Sequence, residues 1–487
     1  MRTSSYTIYV DLPGTREEVI LVHGYTNAYF RVSRRIAAYL RSLERRRAPK
    51  PLFGEWSEET SDGAPVETPS PEIVHALRQR GFLTDLTFEE EEKFFCNIVA
   101  KMHEHSRRQM PSYMFMPTYD CNLRCGYCYQ THLRTNPLYS HTLKTMSMTI
   151  VERLFRGIAT IEKNLGIIDS ASQQRKIGFF GGEPLLASSR PVVERIMNKA
   201  LEIGPTSFWA VSNATELDAF TDLLSPELLS RIQVTIDGPP EVHDRRRIYA
   251  DGSGSFDKIA SNIGLALDRG VSIGVRMNVD RNNLSQIPQL AETIQQQGWD
   301  KYPRFSAYVA PIRKFGPAVD ISTVMNSWEL DDAITKARMQ NSAVNVIGRP
   351  SDDIRASAQA LFRGDKSKVR QMRESGCSAH STLYMFDAFA SIYFCWEYVG
   401  EFSARAGYVA EDGSIELNQE IASSWRDRTV ASNSVCRQCR YALSCGGGCA
   451  ASALARSGKM NSNYCDGFAT RFRHAIGEAY LESKTGG

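Results

Sequence analysis

What most restricts the fold of this chain is where its cysteines fall. Of eleven cysteines, Cys96 stands alone and Cys121, Cys125 and Cys128 form a tight triplet. Cys377, Cys395, Cys436, Cys439, Cys445, Cys449 and Cys465 crowd the C-terminal region, and none lies between Cys128 and Cys377. Cysteines used as small core residues follow apolar periodicities. Cys96 does so within EEEEKFFCNIVAKMHEH and reads as core; the other ten do not. The total is odd, and MRTSSYTIYVDLPG lacks the apolar segment of a signal peptide. A cytoplasmic, reducing compartment is expected, where clustered thiols bind metal more often than they pair. With 42% hydrophobic and 23% charged residues, the 487-residue chain is globular and long enough to bury a core without staples. A net charge of +3 does not point to a nucleic-acid partner. No uninterrupted run of about 18 apolar residues predicts a membrane span.

Periodicity and turn signals divide the chain. Residues 6–10 and 18–23 read as strands around the turn DLPG, 31–46 as a basic helix ending in three arginines, and 55–70 as a loop. Thr87 to Glu90 is a capping box that opens a helix of about 18 residues. Residues 1–106 therefore look like a small α+β module. From residue 112 strands and helices alternate. Strands are predicted at 112–119, 176–182, 208–213, 231–238, 271–279 and 304–312, and helices at 146–164, 190–203, 217–230, 256–269 and 284–298. Repeated β-α units imply an α/β fold with a parallel sheet that can curl into a partial (β/α)6 barrel. Sites of such sheets gather at the carboxyl ends of the strands. The triplet, Gly181-Gly182-Glu183-Pro184, Ser212-Asn213 and Asp237-Gly238 all stand there.

The spacing C-x3-C-x2-C puts three thiolates on one short loop. They can hold three irons of a [4Fe–4S] cubane and leave the fourth open to a chelating small molecule. A Cys3His zinc site completed by His132 is the alternative. CNLRCGYC resembles the cluster loop of radical S-adenosylmethionine (SAM) enzymes, with Tyr127 at the aromatic position. Gly181-Gly182-Glu183-Pro184 is similar to the family segment that receives the SAM amino group. SNAT (212–215) is similar to its polar loop near the methionine moiety. TIDGPPEVHDRRR (235–247) resembles the D-G-P-x3-H-D-x2-R stretch of the peptide- and protein-modifying branch. The resemblance implies cofactor contacts from Tyr127, Gly181, Gly182, Glu183, Pro184, Ser212, Asn213, Thr235, Asp237 and Arg247, the last a partner of the SAM carboxylate. It also implies SAM cleavage to a 5′-deoxyadenosyl radical that abstracts a substrate hydrogen. The plainer readings are a Gly-Gly turn, a helix cap at Asn213 and a solvated run at Arg245–Arg247.

Cys436-x2-Cys439-x5-Cys445-x3-Cys449-x15-Cys465, preceded by Cys377-x17-Cys395, resembles the SPASM extension of peptide and protein maturases. A full set has eight cysteines for two auxiliary clusters, and this chain has seven. The resemblance assigns Cys436, Cys439, Cys445 and Cys465 to one cluster and Cys377, Cys395 and Cys449 to the other. That makes three [4Fe–4S] clusters with the SAM-binding one. The cysteine missing before Cys377 leaves an open iron or a non-cysteine ligand, for which His380 and Glu374 are candidates. Ala390 replaces a family glycine. A zinc ribbon is the alternative. Sulfatase-maturating members carry an Asp base directly after the second SPASM cysteine. Here Trp396 and then Glu397 follow Cys395, which counts against formylglycine formation and makes Glu397 the candidate catalytic base.

The resulting division is 1–106, an N-terminal module similar in element order to peptide-recognition elements; 107–320, the barrel; 321–375, a helical bridge; and 376–487, the SPASM domain. The implied protein is a maturase of a ribosomal precursor peptide. Its leader adds a strand to the edge near residues 18–23, unless the module is only a packing cap. A flavodoxin- or ferredoxin-type donor supplies electrons. A side-chain crosslink, carbon–carbon or carbon–heteroatom, is the first expectation. Epimerisation, which usually needs a thiol hydrogen donor, and serine or cysteine oxidation are alternatives. A non-catalytic iron–sulfur carrier or peptide-binding scaffold is the alternative of another class.

Overall fold

A computed structural model describes the chain apart from residues 13–16, 45–65, 67, 168, 314–318 and 486–487. Six strands run parallel and side by side in chain order: Ser112–Phe115, Arg175–Phe179, Thr206–Ser212, Leu229–Thr235, Ser272–Val279 and Phe305–Pro311. Their residues alternate between two faces, as strand geometry requires. In Ser272–Val279 the buried Ile273, Val275, Met277 and Val279 enter the main core, while Arg276 and Asn278 occupy the other face. The helices Met148–Asn164, Arg190–Ile203, Phe256–Asp268 and Ile287–Gln296 bury their apolar stripes in the same core. Met148–Asn164 is capped by Ser147, whose side chain accepts from the Ile150 N–H.

The sheet continues past the six strands. Ile347–Gly348 adds a parallel strand beside the sixth, and Leu383–Phe386 pairs parallel with the first. Ser391–Tyr393, Gly407–Val409 and Ile415–Leu417 then extend that side antiparallel, giving eleven strands in a mixed α/β sheet. Cys377 precedes Leu383–Phe386 and Cys395 follows Ser391–Tyr393, so these two cysteines flank strands that continue the sheet carrying the triplet.

Three expectations are corrected. The helix at 217–230 is only a 3-10 turn, Leu217–Phe220, followed by irregular chain into the strand that starts at Leu229. Pro226 lacks an N–H and disfavours helical backbone at Ser225, and Leu217, Phe220 and Leu224 are buried without a helix. The segment 31–46 begins as the strand Tyr29–Ser33, and its helix is Arg34–Ser42, capped by Ser33. The arginines 45–47, part of the DLPG turn and most of the 55–70 loop lie outside the described residues. Finally, Glu18–His23 is no edge. It is the middle strand of an antiparallel sheet, between Thr7–Asp11 and Tyr29–Ser33.

That small sheet is buried on both faces. Tyr9, Val19 and Leu21 pack with Leu40, Leu77 and Phe82. Ile8, Val10, Ile20 and Val22 pack with Phe472, Ile476 and Tyr480 of the C-terminal helix Phe468–Thr485. Helix Phe88–Arg107 starts at the expected Thr87–Glu90 capping box. It carries Cys96 against a cluster containing Tyr6, Phe95, Val430 and Leu443. No described helix is long and apolar enough to cross a membrane.

Candidate functional site

The loop after the first parallel strand carries Cys121, Cys125 and Cys128. Neighbouring backbone fixes its shape. The Arg124 N–H donates to the Ile248 carbonyl at 2.7 Å, and Leu123 bridges Tyr249. The Gly182 N–H donates to Thr118 O at 3.1 Å and the Glu183 N–H to Asp120 O at 2.7 Å. This contact explains the glycine pair. Gly181 has φ +133°, and a Cβ there would lie 2.6 Å from Thr118 O; a Cβ on Gly182 would run into the Tyr119 and Asp120 carbonyls.

Glu183 is 2% exposed. Its carboxylate accepts from Leu185 N–H (2.9 Å), Ser212 Oγ–H (2.8 Å) and Asn213 N–H (2.6 Å). Burial pushes it up to about 7, against the pull of these hydrogen bonds and of Arg247. It therefore joins the GGEP segment to the loop after the third strand. Asn213 Oδ1 accepts from the Thr215 N–H at 2.9 Å, forming a local turn rather than a helix cap. Its Nδ2 donates to Asn122 Oδ1 (2.9 Å) and approaches the Cys121 sulfur (3.7 Å).

A second network closes the other side. The Tyr127 hydroxyl donates to Asp237 Oδ2 at 2.5 Å and accepts from Arg247 Nη1 (2.7 Å) and Asn278 Nδ2 (3.1 Å). Asp237 is fully buried and also accepts from the Asn278 N–H at 3.0 Å. Arg247 is 7% exposed, and its Nε is buried without a partner. An uncommitted guanidinium nitrogen within electrostatic reach of the Cys125 thiol leaves a donor for an anionic group. Arg246, by contrast, is engaged with Asp280 at 3.1 Å. His243 accepts from the Asp237 N–H at 3.4 Å and faces Ser255 at 3.1 Å, so it supports the turn from inside. Thr235 ends the fourth strand beside Arg276 of the fifth.

The thiols fall into three neighbourhoods. Cys125 has Cys128 within electrostatic reach, and Cys121 has Cys125. Cys395 has Cys377 and Cys449, and Cys436 has Cys439, Cys445 and Cys465. Burial pushes the Cys121 thiol up to about 12, the Glu183 carboxylate adds to this, and Arg134 opposes it. Buried neighbouring thiols stay protonated until a metal displaces the protons. The donor set therefore fits iron–sulfur ligation. Among the described residues no three His, Cys, Asp or Glu side chains converge on one metal ion. His132 Nδ1 lies 3.1 Å from the Tyr129 carbonyl.

Of the candidates near Cys377, Glu374 is turned to His103, 3.7 Å from its Nδ1. His380 Nδ1 bonds the Trp425 carbonyl at 2.7 Å, which requires the proton on Nδ1. Its Nε2 is left buried with no partner. Burial lowers its pKa to about 4. Glu397 is half-buried. Burial raises its pKa, while Arg313 and then Arg276 pull it back. The Tyr129 hydroxyl donates to the Trp396 carbonyl at 2.8 Å, so the residue after Cys128 touches the residue after Cys395. The Trp396 ring packs on Phe180 and Trp209, with centroids 5.2 and 5.7 Å away.

Arg134, Asn122, Arg276 and Asn278 were not singled out from the sequence. For Asn278 a signal existed: it stands next to the end of the predicted strand 271–279, on the face opposite the buried Val279. Nothing in the local sequence marks Arg134.

Residues 115–294 match the model of the radical SAM superfamily. The chain is 24% identical over 382 residues to the cysteine-type anaerobic sulfatase-maturating enzyme of Clostridium novyi (strain NT), covering 75% of this chain and 95% of that protein. Its fold is similar to that of native anSMEcpe with bound AdoMet and Cp18Cys peptide, with TM-score 0.55, 15% identity and coverage of 77% of this chain and 100% of the other. Streptococcus suis SuiB bound to precursor peptide SuiA aligns over 95% of this chain and 98% of its own, with TM-score 0.46 and 15% identity.

Proposed function

The chain carries a radical SAM domain, and from that premise we propose that it is a SAM-dependent maturase that forms a side-chain crosslink, carbon–carbon or carbon–heteroatom, in a ribosomal precursor peptide. Cys121, Cys125 and Cys128 would hold the SAM-binding [4Fe–4S] cluster. Bound there with SAM, the cluster supplies the radical that removes a substrate hydrogen. Arg247, with its unpartnered Nε, is assigned to the SAM carboxylate. Glu183 is occupied by Leu185, Ser212 and Asn213, so its part is to hold two loops in place. Cys377, Cys395 and Cys449 would hold one auxiliary cluster, and Cys436, Cys439, Cys445 and Cys465 the other. A flavodoxin- or ferredoxin-type protein is the electron donor.

The observation that carries this reading is the Tyr129–Trp396 contact, which seats the Cys395 loop beside the triplet at the carboxyl ends of the parallel strands. A peptide substrate is supported by the sulfatase-maturating relative. Trp396 stands where the sulfatase branch has its base, and its ring is taken up by Phe180 and Trp209. This favours an outcome other than formylglycine. Glu397, between Arg276 and Arg313, is the base available in the same loop. The leader would add to the strand Tyr29–Ser33, whose outer side pairs with no described strand.

Reconstituted protein should carry about twelve irons in three clusters. Iron near four per chain, with zinc present, would refute the auxiliary clusters. Changing Cys121, Cys125 and Cys128 together to Ala should abolish 5′-deoxyadenosine formation. A triple variant that still cleaves SAM would overturn the catalytic assignment, and a parent that never cleaves it would favour the carrier reading.

A further inference from the structure

Arg134 belongs to the short helix Thr131–Thr135 that follows the cysteine loop. Its Nη1 donates to the Tyr119 carbonyl at 3.3 Å, and its Nη2 donates to the Cys128 sulfur at 3.1 Å. One guanidinium thus touches both the entry to the loop and its last thiol. Its Nε is buried without a partner, and among the described residues no carboxylate forms an ion pair with it. Burial disfavours its charge, but Cys128, Cys121 and Cys125 all act to keep it. Other charges also reach the triplet. Arg247 and Asp237 act on Cys125, and Glu183 acts on Cys121. Arg247 and Asp237 are both joined to Tyr127, and Glu183 accepts three hydrogen bonds. Arg134 alone among these both faces all three thiols and donates to a sulfur.

A cationic donor on a sulfur ligand withdraws electron density from the metal and stabilises the extra negative charge of the reduced cluster. Both effects move a potential upward. We propose that Arg134 raises the reduction potential of the iron–sulfur site formed by Cys121, Cys125 and Cys128, making it reducible by a low-potential flavodoxin- or ferredoxin-type donor. The donor loses one electron and the cluster gains one; no proton moves and no bond breaks in this step. The inference rests on the radical SAM reading of the triplet. Arg134 is a positioning and tuning residue in it, since its contacts are to the ligand and the loop.

The test is an anaerobic potentiometric titration followed by electron paramagnetic resonance, using the signal that changes on adding SAM to single out this site. In R134Q the reduced-to-oxidised ratio at a fixed potential should fall about tenfold, a shift of roughly 59 mV for a one-electron couple. R134K keeps the charge and should recover at least half of that shift, with iron content unchanged in both. An unchanged potential in R134Q overturns the proposal. Loss of this site's iron in R134Q, whether or not R134K retains it, assigns Arg134 to holding the loop and also overturns it. A parent protein with no SAM-responsive signal removes the underlying reading instead, which the iron–sulfur spectrum of the parent makes plain.

Discussion

Gly126 and Gly182 both sit in the segments that build the site, and they should respond oppositely to one added methyl group. A Cβ on Gly126 meets nothing within 4 Å, whereas on Gly182 it strikes the Tyr119 and Asp120 carbonyls. G182A should therefore displace the cysteine loop, abolish SAM cleavage and remove about a third of the iron, while G126A keeps both. Iron analysis and a 5′-deoxyadenosine assay check the pair. His23 is a separate case. Its ring is buried, with Nε2 3.1 Å from Ser4 Oγ and Nδ1 accepting the Thr26 N–H at 3.3 Å, and burial lowers its pKa to about 4. The folded protein thus binds the His23 proton more weakly than the unfolded chain does, whose pKa is about 6.5. The stability it contributes is present above pH 6.5 and lost as pH falls toward 4, by roughly 3 kcal/mol. Urea midpoints over that range should drop, and less steeply in H23Q. At this scale the sequence displayed the candidate ligands, because a cysteine or a GGEP segment carries its chemistry in its identity. Arg134 and Arg276 stayed hidden among 58 basic residues, because only tertiary structure decides which arginine meets a thiol or a buried carboxylate.

Helices and strands follow the same division. The six parallel strands were readable because apolar runs bounded by turns need no distant information. The expected helix at 217–230 had the right apolar spacing, but Pro226 disfavours helical backbone in its second half, and only the 3-10 turn Leu217–Phe220 forms. The strand Tyr29–Ser33 was hidden in a basic segment because its pairing with Glu18–His23 is tertiary. Correcting that edge moves the leader prediction. Adding precursor should slow amide exchange in residues 29–33, and protection absent there would refute strand addition at this edge. Helix Met148–Asn164 is pinned to the second parallel strand by a buried ion pair. Arg175 Nε and Nη2 bond the two Glu162 oxygens at 2.8 and 2.7 Å, with both side chains buried. Removing one partner strands a buried charge, so E162Q should cost about 3–5 kcal/mol. A urea titration that shows under 1 kcal/mol would mean the pair is not isolated from water.

Across the whole molecule, residues 1–106 do not sit apart. Tyr6 Oη donates to the Arg437 carbonyl at 2.5 Å and Arg440 Nη1 to the Thr7 carbonyl at 2.6 Å, between the ligand candidates Cys436, Cys439 and Cys445. Tyr6, Phe95 and Val99 share a core with Cys436 and Leu443. Removing 1–106 should therefore lower bound iron by about a third as well as weaken peptide binding. A truncated protein with full iron would show that the contact is dispensable.

The face formed by Ile8, Val10, Ile20 and Val22 has its cover in the helix Phe468–Thr485, nearly the full chain away. At translation rates of roughly 5–20 residues per second, that face leaves the ribosome about 20–90 s before its partner exists. During that interval it is an exposed apolar surface, the kind chaperones hold and aggregates recruit. Cys439 and Cys445 pack against the same cluster, so their surroundings are complete only once helix Phe468–Thr485 docks. A nascent fragment ending near residue 107 should then bind an apolar dye until a peptide spanning Phe468–Thr485 is supplied.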